Sequence, residues 1–189
     1  MNEFILLKRR AKSQLTNQWL DAIAASLIYL VFVMLINYIG IGQFILYGSL
    51  TFGYVLYISC LVDRHISNLN LLFQGFKRFL DTMVAGLLYS LGIVIGLILL
   101  IVPGIILSCG LSMTFYIMSD DPNISGVDAL KKSWEMMKGH KWEYFCLQLY
   151  FFWWMLLALI TAGIAYIWLL PYMTATNLNY YRKLKYGTF

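Results

Sequence analysis

Charge is missing from most of this chain. Of its 189 residues 12% are charged and 61% are hydrophobic, whereas soluble domains are about one quarter charged and under one half apolar. The mean hydropathy of +0.72 points the same way. The chain reads as an integral membrane protein, one domain over residues 1–189, with no stretch polar enough to form a separate soluble module.

Other absences narrow the function. The three cysteines, Cys60, Cys109 and Cys146, are odd in number, far apart and set among apolar residues. That excludes a disulfide framework or a Cys-based zinc site and leaves them as small hydrophobes. His65 and His140 stand in separate segments with no third ligand at useful spacing, so no metal is expected. There is no Gly-rich phosphate loop after a strand and no discernible Ser/His/Asp set. Catalytic, cofactor-binding and metal-binding residues are therefore all expected to be none, and the protein is not expected to be an enzyme. Asp120-Asp121 could hold a divalent cation against a lipid phosphate, but followed by Pro122-Asn123 the pair reads more simply as a turn and helix start.

A long basic arm is also missing. The formal charge of +5 comes from short groups of Lys and Arg between apolar runs, which suits membrane orientation and not nucleic acid. Ionisable groups are absent from the depth of the apolar runs, which weighs against a proton pump, a voltage sensor or charge-coupled transport.

What remains is three uncharged stretches, Ala22 to Val62, Thr82 to Ser119 and Tyr144 to Tyr181, of 41, 38 and 38 residues. A continuous helix of that length would run about 57–62 Å, twice the ~30 Å hydrocarbon core. Each stretch should fold back once. Breakers fall near the midpoints: Gly40-Ile41-Gly42, Pro103-Gly104 and Ala162-Gly163. The expected architecture is all-α, with six spans paired as three helical hairpins, near Leu20 to Ile39, Gln43 to Val62, Thr82 to Val102, Gly104 to Met118, Tyr144 to Thr161 and Ile164 to Tyr181. The fourth is short for a span, so thinning or a shallow turn is expected there. The N-terminal basic cluster, Lys8 to Lys12, precedes an apolar run too long for a signal peptide, with no cleavage site after it, so this first segment should be retained.

All 14 basic residues then fall on one side, the cytoplasmic one by the positive-inside rule, with both termini there. The connections on that side carry apolar residues at helical spacing: Phe4, Leu7, Ala11, Leu15 and Trp19; Leu69, Leu72, Phe73, Phe76, Leu80 and Met83; and Val127, Leu130, Trp134 and Met137, where Ser125 and Asp128 are spaced as a capping box. They read as amphipathic interfacial helices. Trp19-Leu20-Asp21, Phe79-Leu80-Asp81 and Trp142-Glu143-Tyr144 recur at spacings of 60 and 63 residues, and Thr51, Thr114 and Thr174 follow those aromatics by 32, 35 and 32. This suggests a threefold internal repeat with units of about 3–62, 66–118 and 123–181; chance matching in a sequence of low diversity is the alternative.

Three groups of residues are candidates for function. Lys131, Lys132, Trp134, Lys138, His140, Lys141 and Trp142 form the densest basic and aromatic island and are candidate contacts for lipid headgroups or a partner; the simpler reading is a solvated helix face, with Glu135 between Lys131 and Lys138. Thr51, Thr114 and Thr174 are candidates for a polar seam, although Thr commonly bonds its own helix backbone. Gly92 and Gly96 form a GxxxG pair for close helix packing within one molecule or between two, with Ala158 and Ala162 as a similar pair.

Val102-Pro103-Gly104-Ile105-Ile106, Met113-Thr114-Phe115-Tyr116, Asp121-Pro122, Ser133, Met137 to Trp142, Phe145, Pro171-Tyr172 and Tyr181 resemble the bacterial membrane family catalogued as domain of unknown function 975. The resemblance is strong over residues 100–181. It implies a multi-pass protein of the bacterial cytoplasmic membrane and carries no activity or functional residue to transfer. Trp153, where the family tends to have Gly, and Ala165 after Gly163 depart from the pattern. Together these features point to a non-enzymatic membrane protein that engages membrane lipids, a hydrophobic peptide or a membrane-protein partner, accessory to envelope stress, export or peptide immunity. The alternative is a channel or carrier for a small or apolar solute.

Overall fold

A computed structural model describes residues 2–16, 18–37, 42–99, 101–161 and 163–187. The described residues are helical almost throughout and contain no strand: α1 (Asn2–Leu15), α2 (Trp19–Asn37), α3 (Gly42–Arg64), a 3₁₀ segment (Leu69–Arg78), α4 (Phe79–Leu99), α5 (Ile101–Leu111), α6 (Thr114–Asp120), α7 (Gly126–Met136), α8 (Lys141–Ile160) and α9 (Ile164–Tyr186).

Among the described residues five stretches are long and apolar enough to cross a membrane: Trp19–Asn37, Leu46–Arg64, Leu69–Gly96, Val102–Asp120 and Lys141–Ile160. The helix α9 is long enough, at 23 residues, but its Tyr, Thr and Asn residues keep it out of this group. Apolar side chains point outward from several of these helices. Only 22% of the first, third and fifth stretches is buried, and Leu20, Met34, Leu80, Trp153, Leu159 and Ile160 are all more than 60% exposed. A protein in water would bury such side chains; hydrocarbon solvates them.

Of the expected breaks that the described residues test, the third falls near its expected position and the second does not. Gly163 connects α8 to α9 at φ 86°, a left-handed conformation that glycine adopts at no steric cost. In the second stretch α5 begins at Ile101, before the expected break at Pro103-Gly104. Proline needs no N–H partner in the first helical turn, so Pro103 is accommodated inside α5. The fourth stretch, expected to be short for a span, runs 19 residues from Val102 to Asp120; it is interrupted between α5 and α6 at Ser112 and Met113. Residues 38–41 and Ala162, which carry parts of the other two predicted breaks, lie outside the described residues.

Glycine decides where helices touch. A Cβ added to Gly48 would lie 2.0 Å from the Thr82 carbonyl oxygen, and one on Gly126 would lie 2.2 Å from that of Asp81. Thus α3 meets α4, and α7 meets α4, backbone to backbone. At the first crossing Ser49 and Thr82 hydroxyls share a hydrogen bond of 2.8 Å. The ten-residue 3₁₀ segment exceeds the usual three or four residues. It is held on α3 by the same device, since a Cβ on Gly53 would lie 1.9 Å from the Leu72 carbonyl oxygen.

The three segments read as interfacial helices dock on the protein instead of lying free. Leu7, Ala11 and Leu15 of α1 are fully buried, largely against α9. In the second segment Leu72 is buried while Leu69, Phe73, Phe76 and Leu80 are exposed. In α7 the predicted cap is present: the Asp128 N–H donates to the Ser125 hydroxyl at 3.1 Å. Leu130 and Met137 are buried, but Val127 is 40% exposed. The copies also differ in kind, two α-helices and one 3₁₀ segment, so the threefold repeat gains no support from them.

Candidate functional site

The charged end of the bundle is organised by the last two turns of α9. Arg182 donates to Asp63 at the end of α3. Lys183 donates to Glu143 in the first turn of α8 at 2.6 Å, and Lys185 to Asp120 at the end of α6 at 2.7 Å. Three consecutive cations of one helix thus meet carboxylates from three different helices. Tyr180 donates to the Glu143 carboxylate at 3.3 Å and Tyr181 to Asp120 at 2.9 Å. The hydrogen bond to Asp120 holds the Lys185 ammonium pKa above its ordinary value. Among the described residues no three His, Cys, Asp or Glu side chains group as a metal site.

The basic island divides into two faces. Gly126, Ala129, Leu130, Ser133 and Met137 are buried, whereas Lys131, Lys132, Lys138 and His140 are exposed. Lys131 lies 3.8 Å from Asp128, and His140 lies 3.3 Å from Glu143. Ser133, although polar, is on the buried face. Its hydroxyl donates to the Gly110 carbonyl at 2.9 Å and accepts the Met113 N–H at 3.1 Å. It thereby satisfies backbone groups freed where α5 breaks from α6. Trp134 packs at Gly110, with the Lys141 ammonium 3.1 Å from its ring centroid.

Lys141 and Trp142 also stand at one end of a groove of about 490 Å³ between α5 and α8. Val102, Ile105, Ile106 and Cys109, spaced along one stripe of α5, form one wall, and Phe145 forms part of the other. Trp142 is 74% exposed. The groove is apolar along its length, with Lys141 its one charged lining residue among those described.

A third feature lies at the centre. A cavity of about 180 Å³ is lined by Tyr29 of α2, Tyr47, Thr51 and Tyr54 of α3, Tyr89 of α4, Ser112 beside α5, Tyr116 of α6, Tyr144 of α8, and Thr174 and Asn177 of α9. Two of the three seam threonines are therefore brought together. Thr51 lies 3.5 Å from the Tyr29 hydroxyl, and Thr174 donates to its own helix at the Leu170 carbonyl. Thr114 is buried away from the cavity and donates to the Leu111 carbonyl at 2.7 Å. Its register slips because the break at Ser112 and Met113 turns the chain just before it. The tyrosines went unnoticed in the sequence; their only signal was the presence of 14 Tyr in an apolar chain.

The GxxxG pair packs within the molecule. A Cβ on Gly96 would lie 2.7 Å from the Gly104 Cα, whereas one on Gly92 would meet only the Leu111 Cδ1 at 3.6 Å. Gly96 alone is needed for the approach of α4 to α5.

Apolar helices with outward-facing hydrophobic side chains, drawn together at one charged end, define a multi-pass helical membrane protein. The chain belongs to the family described as protein of unknown function (DUF975), whose profile matches residues 89–187, just over half of the sequence. No curated protein and no solved structure matches it.

Proposed function

We propose that the protein is a non-enzymatic membrane protein that engages anionic phospholipid at the charged end of its helices. In this reading α9 is the sixth span, the spans pair as three hairpins, and the charged end with both termini faces the cytoplasm. The observation that carries the reading is the groove between α5 and α8. It offers an apolar wall to an acyl chain, and Lys141 and Trp142, two of the residues singled out in the sequence, stand where a headgroup would lie. Further support comes from the charge arrangement. Three carboxylates are already neutralised by α9, while Lys131, Lys132 and Lys138 remain exposed. Each cation near an anionic leaflet contributes about 1 kcal/mol.

The test is retention of anionic phospholipid by the purified protein, measured by native mass spectrometry. Lys141→Gln should weaken retention about fivefold, the factor that corresponds to ~1 kcal/mol. Equal retention by Lys141→Gln and the unaltered protein would overturn the reading.

A second reading is favoured by the central cavity: a channel or carrier for a small solute. All the long helices contribute to its lining, and the hydroxyl and amide groups of Tyr, Thr, Ser and Asn side chains there suit a polar solute or water. Flux through liposomes that is abolished by Thr51→Val with Thr174→Val, but not by Thr114→Val, would establish this reading.

A further inference from the structure

We infer a second site for an anionic phospholipid, built by the N-terminal helix on the opposite flank of α8. A groove of about 410 Å³ runs between α8 and α9, with Lys12 and Trp19 among its lining residues. Tyr150, Trp154 and Leu157 form its α8 wall at spacings i, i+4 and i+7, and Ala165, Trp168, Leu169 and Tyr172 form its α9 wall at spacings i, i+3, i+4 and i+7. Such stripes lie on one face of each helix. Seven residues of helix extend about 10 Å, so the two walls define an elongated slot along the helix axes.

The slot has direction. Gly163 turns α8 into α9, so Leu157 and Ala165 mark the end nearest the turn. Phe151 and Tyr172 meet edge to face with centroids 5.8 Å apart, so Tyr150 and Tyr172 mark the other end. The cations belong there: the Lys8 ammonium sits 3.2 Å from the Tyr150 ring centroid, and Lys12, one helical turn further along α1, is the groove's one charged lining residue among those described. No carboxylate among the described residues lines the groove to cancel it.

An apolar slot with a cation at one end matches an acyl chain that carries an anionic headgroup. The occupant comes from the bilayer, because Trp154, Leu157 and Trp168 are each about half exposed, at 49%, 49% and 52%, and so open the slot on the side that faces lipid. The arrangement repeats the chemistry of the α5 and α8 groove, a lysine and a tryptophan at the end of an apolar wall, with different residues. It shares the ligand class of the reading above but no side chain with it. The role assigned to α1 is to bring a cation to α8 and α9, which provide no charge of their own along this slot.

The test is native mass spectrometry of the full chain, delipidated and then titrated with phosphatidylglycerol, phosphatidylcholine or oleic acid. The expected result is two retained phosphatidylglycerol molecules, one of which weakens about fivefold in Lys12→Gln while the other weakens in Lys141→Gln. A Lys12→Gln protein that keeps both with unchanged affinity would overturn the site even where the Lys141 site stands. Equal retention of phosphatidylcholine, preference for oleic acid, or a dimer that excludes lipid from the slot would each overturn it too. A second readout uses a variant whose only tryptophan is Trp168: brominated phosphatidylglycerol should quench it more strongly than brominated phosphatidylcholine, and Lys12→Gln should remove the difference.

Discussion

The Ser133 hydroxyl accepts the Met113 N–H at 3.1 Å, joining the charged helix α7 to the break in the fourth apolar stretch. The same hydroxyl donates to Gly110, so one side chain serves both ends of the break. Within a bilayer a broken helix is tolerated where protein groups satisfy the freed backbone. The position of α7 and the interruption of the span therefore depend on each other.

Ser133→Ala should expose this dependence. It leaves a buried donor and a buried acceptor without their partner, at a cost of about 1–3 kcal/mol. A fall in Tm in detergent would be expected, with Ser133→Thr less affected. No change in Tm for the alanine variant would show that the hydroxyl is dispensable.

The two glycines of the GxxxG pair should separate. Gly96→Ala places a methyl group against the Gly104 backbone and should destabilise by about 1–3 kcal/mol, as overpacking does. Gly92→Ala, with space as far as Leu111, should be close to neutral. Gly48→Ala should behave like Gly96→Ala, since its neighbour is also backbone. Thermal unfolding of the three variants decides the matter, and a uniform loss would refute it.

Ion pairs at the charged end should differ with burial. Glu143 accepts from Lys183, whose side chain is 17% exposed, while Asp128 faces Lys131 with exposures of 64% and 72%. Glu143→Gln should cost about 1.5–3 kcal/mol, as for hydrogen bonds to charged groups, and Asp128→Ala little through its ion pair, beyond the loss of its bond with Ser125. Raising the salt concentration should narrow the Asp128 effect and barely move that of Glu143.

Topology is checked by single cysteines in a background without Cys60, Cys109 and Cys146. Asn37, Val102 and Gly163, at the ends of the helix pairs far from the charged residues, should label from outside the cell, and Lys132 only after the membrane is opened. Val102 is used because it is 65% exposed, whereas a side chain at Gly104 would press on Gly96. Labelling of Lys132→Cys from outside would reverse the orientation.

Class and segmentation were legible in the sequence because they depend on composition and on backbone chemistry. Uncharged runs of 38 to 41 residues exceed one bilayer crossing, and Gly163 ends a helix for a reason local to itself. The docking faces of α1 and α7 were partly legible, since Leu7, Ala11 and Leu15, or Leu130 and Met137, recur at helical period between polar residues. Whether those faces meet lipid or protein was not. Within the apolar runs even the inward face was hidden, because a helix that is hydrophobic all round has no stripe to read. Thr114 shows the consequence: its spacing matched Thr51 and Thr174, but a break one residue before it directs it elsewhere.

The amino-acid sequence alone determined that this chain belongs in a membrane and where it is divided by charge, since both follow from the cost of placing polar groups in hydrocarbon. Only the tertiary structure decided that Lys12 lines one groove with Trp154 and Trp168, that Ser133 bridges a broken helix and that tyrosines of five helices line one cavity. Those meetings depend on how each helix is rotated and how closely its glycines let it approach its neighbours, and no local pattern encodes the rotation of a uniformly apolar helix.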